Sequence, residues 1–464
     1  MEQPNVTGDG EAALSLRFWV GIVLTGVAAG LFGDAMMAAL SQAEHLAFGY
    51  RSGDFQTAVE HASDLRRVAV LAAAGAFGGV AWYVLRHVTR GESSEVDDAI
   101  WRGDGRLSFR RSLGTSLISE IVIGMGASIG RESAPKLMAG ASGSVVSGWL
   151  GLTTPQRRLL VACGGGAGLA AVYNVPLGGA LFTAEVLIGT VTLPVVLPAL
   201  TCSWIATMVA WAYLPTHATY VGIPDYHFSA SLLVWGVLVG PVIGLLASGH
   251  IRLVGWVSHH AARGKLALAA PLVAFTLLGL AGIAYPQLFG NGKDMAHTVL
   301  LGGGSLGLLL ALSVLKPLAT ELCLASGASG GLFTPFMSTG AVLGGFLGLV
   351  WSHLWGGSPV GAFAMIGAAA MVGASMQAPL AGLALVLELT HNGFQLMVPM
   401  MAATVTATLV ARHVDGYSIY SARLRAEPSV SGTDAPGADA PGTDAPGTDA
   451  PGTDAPGTGD VSRR

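Results

Sequence analysis

The chain has 464 residues, a formal charge of −4, 52% hydrophobic residues and only 11% charged ones, and its mean hydropathy is +0.59. An ordinary soluble domain carries about 25% charged residues, and no basic stripe is present, which excludes a soluble globular fold and a nucleic-acid partner. Residues 159–251 and 317–411 contain no Lys or Arg, and their only acids are Glu185, Asp225, Glu321 and Glu388. Stretches this long and apolar belong in a bilayer.

Residues 1–16 form a polar, acidic lead-in without the basic stretch that opens a signal peptide. The apolar run 18–40 is long enough to span a membrane with some tilt, and 67–83 supplies a second helix. Later runs are shorter and interrupted by proline, at Pro135, Pro176, Pro194, Pro198, Pro335 and Pro379. Polar loops are expected at 49–65, 89–111, 153–158, 216–227, 251–265 and 289–297. Broken backbone at membrane depth persists only where it is buried in protein or lines a polar cavity. The 66 glycines let helices approach closely in lipid. Residues 17–425 are therefore read as one all-α polytopic membrane domain of many short, tilted and broken helices. Residues 426–464 hold a Gly/Thr/Asp/Ala/Pro repeat with no apolar face, expected to be a disordered spacer.

An internal echo runs through the domain. Asn174-Val-Pro-Leu-Gly-Gly and Gln377-Ala-Pro-Leu-Ala-Gly share one form, and each has a glutamate, Glu185 or Glu388, eleven positions after its amide. Internal repeats with broken helices are characteristic of transporters, whose substrate site lies at the repeat interface.

Two Gly-rich stretches carry the chemistry. One is Gly130-Arg131-Glu132-Ser133-Ala134-Pro135, and the other is Ser326-Gly-Ala-Ser-Gly-Gly-Leu-Phe-Thr-Pro335; the segment from Arg90 to Glu95 is a weaker third. A helix start exposes about four unpaired N–H groups and roughly half a positive charge, a ready anion site. Glycines beforehand let the backbone come close, and a proline just inside starts the helix without wasting a donor. The N–H groups of Leu332 and Phe333 are expected to face the ion. A carboxylate at membrane depth costs roughly 2.5–3.5 kcal/mol on insertion scales, so Glu132 is read as functional; the alternative is a glutamate locked in an ion pair with Arg131. The glycine runs at 164–170 and 302–307 follow no strand and lack Gly-Lys-Ser/Thr, so they are helix packing and not nucleotide loops. Cys163, Cys202 and Cys323 are read as core residues. The histidines show no metal-ligand spacing, and no HExxH or nucleophile–base set points to an enzyme.

Taken together, GRE followed by Pro, then GGLFTP, then a terminal Tyr-Ser-Ala resemble the CLC family of chloride channels and chloride/proton antiporters over nearly all of residues 17–425. The family's GREGP segment corresponds to residues 130–135, its GxFxP segment to Gly331-Leu332-Phe333-Thr334-Pro335, and its late anion-coordinating tyrosine to Tyr420. The resemblance implies the family's inverted-repeat fold, a homodimer with one pathway per subunit, bound chloride or similar small anions, and no cofactor or metal. Glu132 would be the gate, a tethered carboxylate that mimics chloride when ionised and leaves when protonated. Gly130, Arg131, Gly331, Leu332, Phe333 and Tyr420 would surround the anion.

Two departures bear on mechanism. The family's early serine loop falls at 89–100, where this chain reads Arg90-Gly-Glu-Ser-Ser-Glu95; one register places Gly91 at the serine position, another Ser93 or Ser94. Family antiporters often carry two acids after the Asn-x-Pro-Leu block, and here Glu185 matches the first while Val186 occupies the second. Valine holds no proton, so channel-like anion transport with weak or no proton coupling is expected. The alternative is chloride/proton exchange by a non-standard route, with Glu185 as a candidate. A cell membrane is the expected location.

Overall fold

The structure, a computed structural model, describes residues 14–50, 53–89 and 95–424. The repeat tail 426–464, the lead-in up to residue 13, and Gly91, Ser93 and Ser94 lie outside the described residues. The described residues form helices joined mostly by short turns, with one longer connection at 211–229 and a single bridge of β type.

The first half of the chain comprises α1 (Leu16–Phe48), α2 (Phe55–His61), α3 (Asp64–Val88), α4 (Val96–Trp101), α5 (Phe109–Gly124), α6 (Ser133–Trp149), α7 (Thr154–Tyr173), α8 (Pro176–Leu181, continued by a π-helical turn Phe182–Ile188) and α9 (Leu193–Ala210). The second comprises α10 (Ala230–His260), α11 (Leu266–Ala284), α12 (Lys293–Leu300), α13 (Leu306–Ala325), α14 (Phe333–Ser352), α15 (Val360–Met376), α16 (Pro379–Thr390) and α17 (Met397–Val414). Among the described residues, eight helices are long and apolar enough to cross a membrane, and the protein is a multi-pass integral membrane protein. Helix α1 has 33 residues, roughly 50 Å of rise, so it must tilt. Ser15 accepts from the Phe18 N–H at one end, and Gly49, at φ 70°, closes the other.

The flagged prolines start helices more often than they break them. Pro176, Pro194 and Pro379 occupy the first or second position of α8, α9 and α16, where a missing N–H costs nothing. Pro135 and Pro335 lie in the first turns of α6 and α14, and Pro198 sits inside α9. The loop expected at 251–265 is largely helix. Ile251, Val254 and Val257 keep burying one face of α10, while its basic end residues suit a helix C-terminus. The loop expected at 153–158 is likewise the start of α7, closed by a Thr153–Gln156 capping box.

Side-chain size sorts the helices by depth. Every residue of α15 from Gly361 to Met376 is buried, and 12 of the 17 residues of this helix are Gly, Ala or Met. A Cβ on Gly367 would stand 2.6 Å from the Cα of Gly344 on α14, so the two backbones touch. Outside, Val20, Leu24 and Leu31 of α1 and Val237, Leu238 and Leu245 of α10 are exposed, as suits helices whose solvent is lipid.

The two halves are related by reciprocal contacts. Asn174 and Gln377 end α7 and α15 in the left-handed conformation, at φ 57° and 56°. Glu185 accepts from the N–H groups of Leu380 (3.3 Å) and Ala381 (2.7 Å) at the start of α16. Glu388 accepts from Leu177 (3.0 Å) and Gly178 (2.5 Å) at the start of α8. Each half thus caps a helix of the other, the signature of a local two-fold axis and of an inverted repeat. Replacing either glutamate by alanine orphans two helix N–H groups. Glu185→Ala and Glu388→Ala should each lower stability by about 1–3 kcal/mol, read as comparable losses of thermal stability in detergent. Loss from only one of them would contradict the two-fold reading.

Candidate functional site

The same backbone path is built twice. After α5 the chain turns at Gly126 (φ 110°), and after α13 it turns at Gly327 (φ 86°). Each turn opens a Gly-Ala-Ser-x-Gly segment, 126–130 and 327–331, an identity that was legible in the sequence but lay beneath the larger motifs. The two segments meet antiparallel. Gly130 and Gly331 exchange both backbone hydrogen bonds, each 2.7 Å long. This pairing aims the N-termini of α6 and α14 at one small volume.

The Glu132 carboxylate fills that volume. A Cβ on Gly130 or on Gly331 would fall 2.2 Å from its Oε1, so only glycine leaves room for it. Oε1 accepts from the Thr334 N–H at 3.4 Å, and Oε2 accepts from the Thr334 hydroxyl at 3.0 Å and the Tyr173 hydroxyl at 3.3 Å. The two hydroxyls are themselves 2.6 Å apart. Glu132 is 4% exposed. An anion held by a helix N-terminus and two hydroxyls is well placed.

The expected ligands divide between two sides. Leu332, Phe333, Gly331, Lys136 and Tyr420 join Glu132 around a cavity of about 30 Å³, room for a single water-sized species. The backbone N–H that reaches the carboxylate belongs to Thr334, one position beyond the pair expected from the sequence. Arg131 points elsewhere. Its guanidinium lies 5.1 Å from the centre of the Tyr173 ring and lines a second cavity of about 360 Å³ with Glu44, His217 and Lys293. Among the described residues no ion pair joins Arg131 to Glu132. Lys293, at the start of α12 and outside the spanning helices, is held below the usual lysine range, first by burial and then by the charge of Arg131.

On the other side the small cavity shares Glu95, Ser329, Tyr420 and Arg423 with a vestibule of about 420 Å³. Arg86, Arg111, Arg263 and Arg423 face that vestibule against Glu95 and Asp97. Its excess of positive charge concentrates anions at the mouth. Tyr420 is positioned by the turn after α17, where the Ile419 N–H bonds Ser375 O at 2.9 Å. Its ring packs edge-on against Phe182 at 5.7 Å. Glu132 therefore stands between two cavities that each carry cationic side chains.

Glu185 lines none of these three cavities, because its carboxylate is committed to α16, and Val186 is fully buried. Sequence reading missed Tyr173, Thr334, Lys136 and Asp97. Tyr173 precedes the repeat amide Asn174, and Thr334 lies inside the second motif, yet nothing local marks a hydroxyl as a partner of a residue 41 or 202 positions away.

A family model described as "Voltage gated chloride channel" matches residues 74–412. A "Putative chloride channel protein ClcB-like" from Ralstonia nicotianae is 31% identical over 370 residues, covering 77% of this chain and 85% of that protein. An "H(+)/Cl(-) exchange transporter ClcA" from Yersinia pestis bv. Antiqua is 31% identical over 314 residues, 65% of each chain. Among solved structures, that of "a slow cyanobacterial Cl-/H+ antiporter" superposes with a TM-score of 0.76 at 20% identity, covering 88% of this chain and 97% of the other.

The cradle yields a direct prediction. Gly331→Ala places a methyl group where the Glu132 carboxylate lies. Neither carboxylate nor anion can then occupy the site, so anion efflux from proteoliposomes should fall at least about tenfold, one hydrogen-bonded charge site being lost. Efflux equal to wild type would show that the anion does not pass between Gly130 and Gly331.

Proposed function

The chain belongs to the CLC family of chloride channels and chloride/proton antiporters, and on that footing we propose that it carries chloride past Glu132, with weak or no coupling to protons. Its membership makes it an anion-transport protein; the choice of chloride, the gate and the coupling are the proposal. The single observation that carries it is the seat of the Glu132 carboxylate, which fills the space between the two glycine loops and takes the hydrogen bonds an anion would take. With the carboxylate in place the two cavities are separated. When it is protonated its charge no longer complements the helix ends, it swings out, and chloride enters the vacated seat. Tyr173 and Thr334 remain to receive the ion, and Tyr420 and Phe333 wall the step below.

Weak coupling rests on what the repeat block offers a proton. Where family exchangers often carry an acid, this chain has Val186, which is buried and holds no proton, and Glu185 is engaged as a helix cap. A second reading, chloride/proton exchange, is favoured by the exchanger among the relatives and by the antiporter structure that shares the fold. Glu132, Tyr173, Thr334 and Tyr420 all come from one chain, so the pathway is complete within a subunit; the family resemblance adds a homodimer with two separate pathways to the proposal, and residence in the cell membrane is part of it too.

Reconstitution under opposed chloride and proton gradients separates the two readings. Weak coupling predicts a reversal potential at the chloride equilibrium value that does not move with the pH gradient; a steady shift toward the proton gradient establishes exchange instead. Glu132→Gln, which fixes the side chain in a neutral form, should remove the pH dependence of transport. Unchanged pH dependence in that variant would mean that Glu132 is not the gate.

A further inference from the structure

Lys136 is the one charged side chain of the small cavity, apart from Glu132 itself, that the transport mechanism above leaves unused among those drawn from the α6 and α14 starts. It sits in the first turn of α6, where its N–H bonds Glu132 O at 3.2 Å. A cation there opposes the helix dipole, and an ammonium at membrane depth is costly and marks function by default. Helix stability therefore does not explain it. Nor does the repeat: the matching position in the second half is Phe336 or Met337, depending on whether the prolines or the paired glycines are aligned.

Its bonding is incomplete. Of three donors, the ammonium gives one among the described residues, to Asp97 Oδ2 at 2.9 Å. It lies 4.6 Å from the centre of the Tyr420 ring and borders the 30 Å³ cavity. Lys316 shows how a structural lysine is treated in the same protein. Also buried, it places all three donors, on Ser128 Oγ (2.9 Å), Leu288 O (3.2 Å) and Gly290 O (2.7 Å). Lys136 keeps two donors beside a cavity of ion size.

We propose that the Lys136 ammonium, held by Asp97 against the Tyr420 ring, is a ligand that sets the affinity for chloride in the cavity between Glu132 and Tyr420. The proposal rests on the chloride-transport reading and adds to it a fixed positive charge on the Tyr420 side of the gate. Asp97 tempers that charge, so the ion is bound firmly enough to enter and loosely enough to leave. The opposed roles of the two residues distinguish this arrangement from a structural ion pair, in which loss of either partner harms the protein in the same direction.

The test is chloride titration of the purified full-length protein in detergent by calorimetry, with monodispersity checked by size exclusion. Lys136→Met should weaken chloride binding at least about tenfold, the value of a hydrogen bond to a charged group. Lys136→Arg should retain binding within a few-fold of wild type, and Asp97→Asn, which leaves the ammonium untempered, should tighten it. Folded Lys136→Met that binds chloride like wild type overturns the inference. If that variant does not fold, Asp97→Asn decides, and unchanged or weaker binding overturns it equally. Wild-type protein that binds no chloride overturns the transport reading together with this one, whereas binding that survives in Lys136→Met removes this one alone.

Discussion

Two residues without side chains hold the site together. The paired hydrogen bonds between Gly130 and Gly331 bring the starts of α6 and α14 to the same point. Two positive helix ends that converge repel unless something negative lies between them. An anion is thus part of the electrostatic design, and Glu132 serves as that anion from within the chain. Any side chain at either glycine would fill the space the carboxylate needs. The small cavity, the seat of the carboxylate and its position between the two larger cavities all follow from this one close approach.

Around that point the backbone is symmetric and the chemistry is not. The Gly-Ala-Ser-x-Gly turns, the left-handed amides at Asn174 and Gln377, and the exchanged caps of Glu185 and Glu388 repeat in both halves. The side chains then divide the work. Where the first half places Glu132, two residues past its paired glycine, the second places Phe333. One half supplies the carboxylate, and the other supplies a wall and, through Thr334, donors that hold it. Symmetry gives a seat with matched helix ends, and asymmetry gives the seat an occupant.

Much of this is legible in the sequence, for reasons that differ from residue to residue. Glu132 stood out because a carboxylate among glycines in an apolar chain has no stabilising excuse. The repeat was visible because Pro-Leu and Glu recur at fixed spacing. What escaped depended on distance. Glu185 matched the first acid after the Pro-Leu block and was a candidate for the proton route, but its commitment to α16 rests on partners 195 and 196 positions away. Tyr173 and Thr334 are ordinary residues locally and acquire meaning from their shared contact with Glu132. The stretch 251–265 looked like a loop because its charges are conspicuous, yet burial of Ile251, Val254 and Val257 keeps it helical. Lys136 was in plain view four residues past Glu132, but its meaning needed Asp97 and Tyr420 beside it.

The exchanged caps also set an order for biosynthesis. The start of α8 leaves the ribosome about 210 residues ahead of Glu388, roughly 10–40 s at ordinary rates of synthesis. Throughout that interval its exposed N–H groups have no partner within the chain, in a medium that offers few others. The nascent first half therefore cannot settle as a finished unit. It must stay open, or lean on water and lipid headgroups at the membrane surface, until the second half arrives. A protein whose halves cap each other matures only once Glu388 has been made, which makes products truncated before it targets for quality control instead of half-sized transporters.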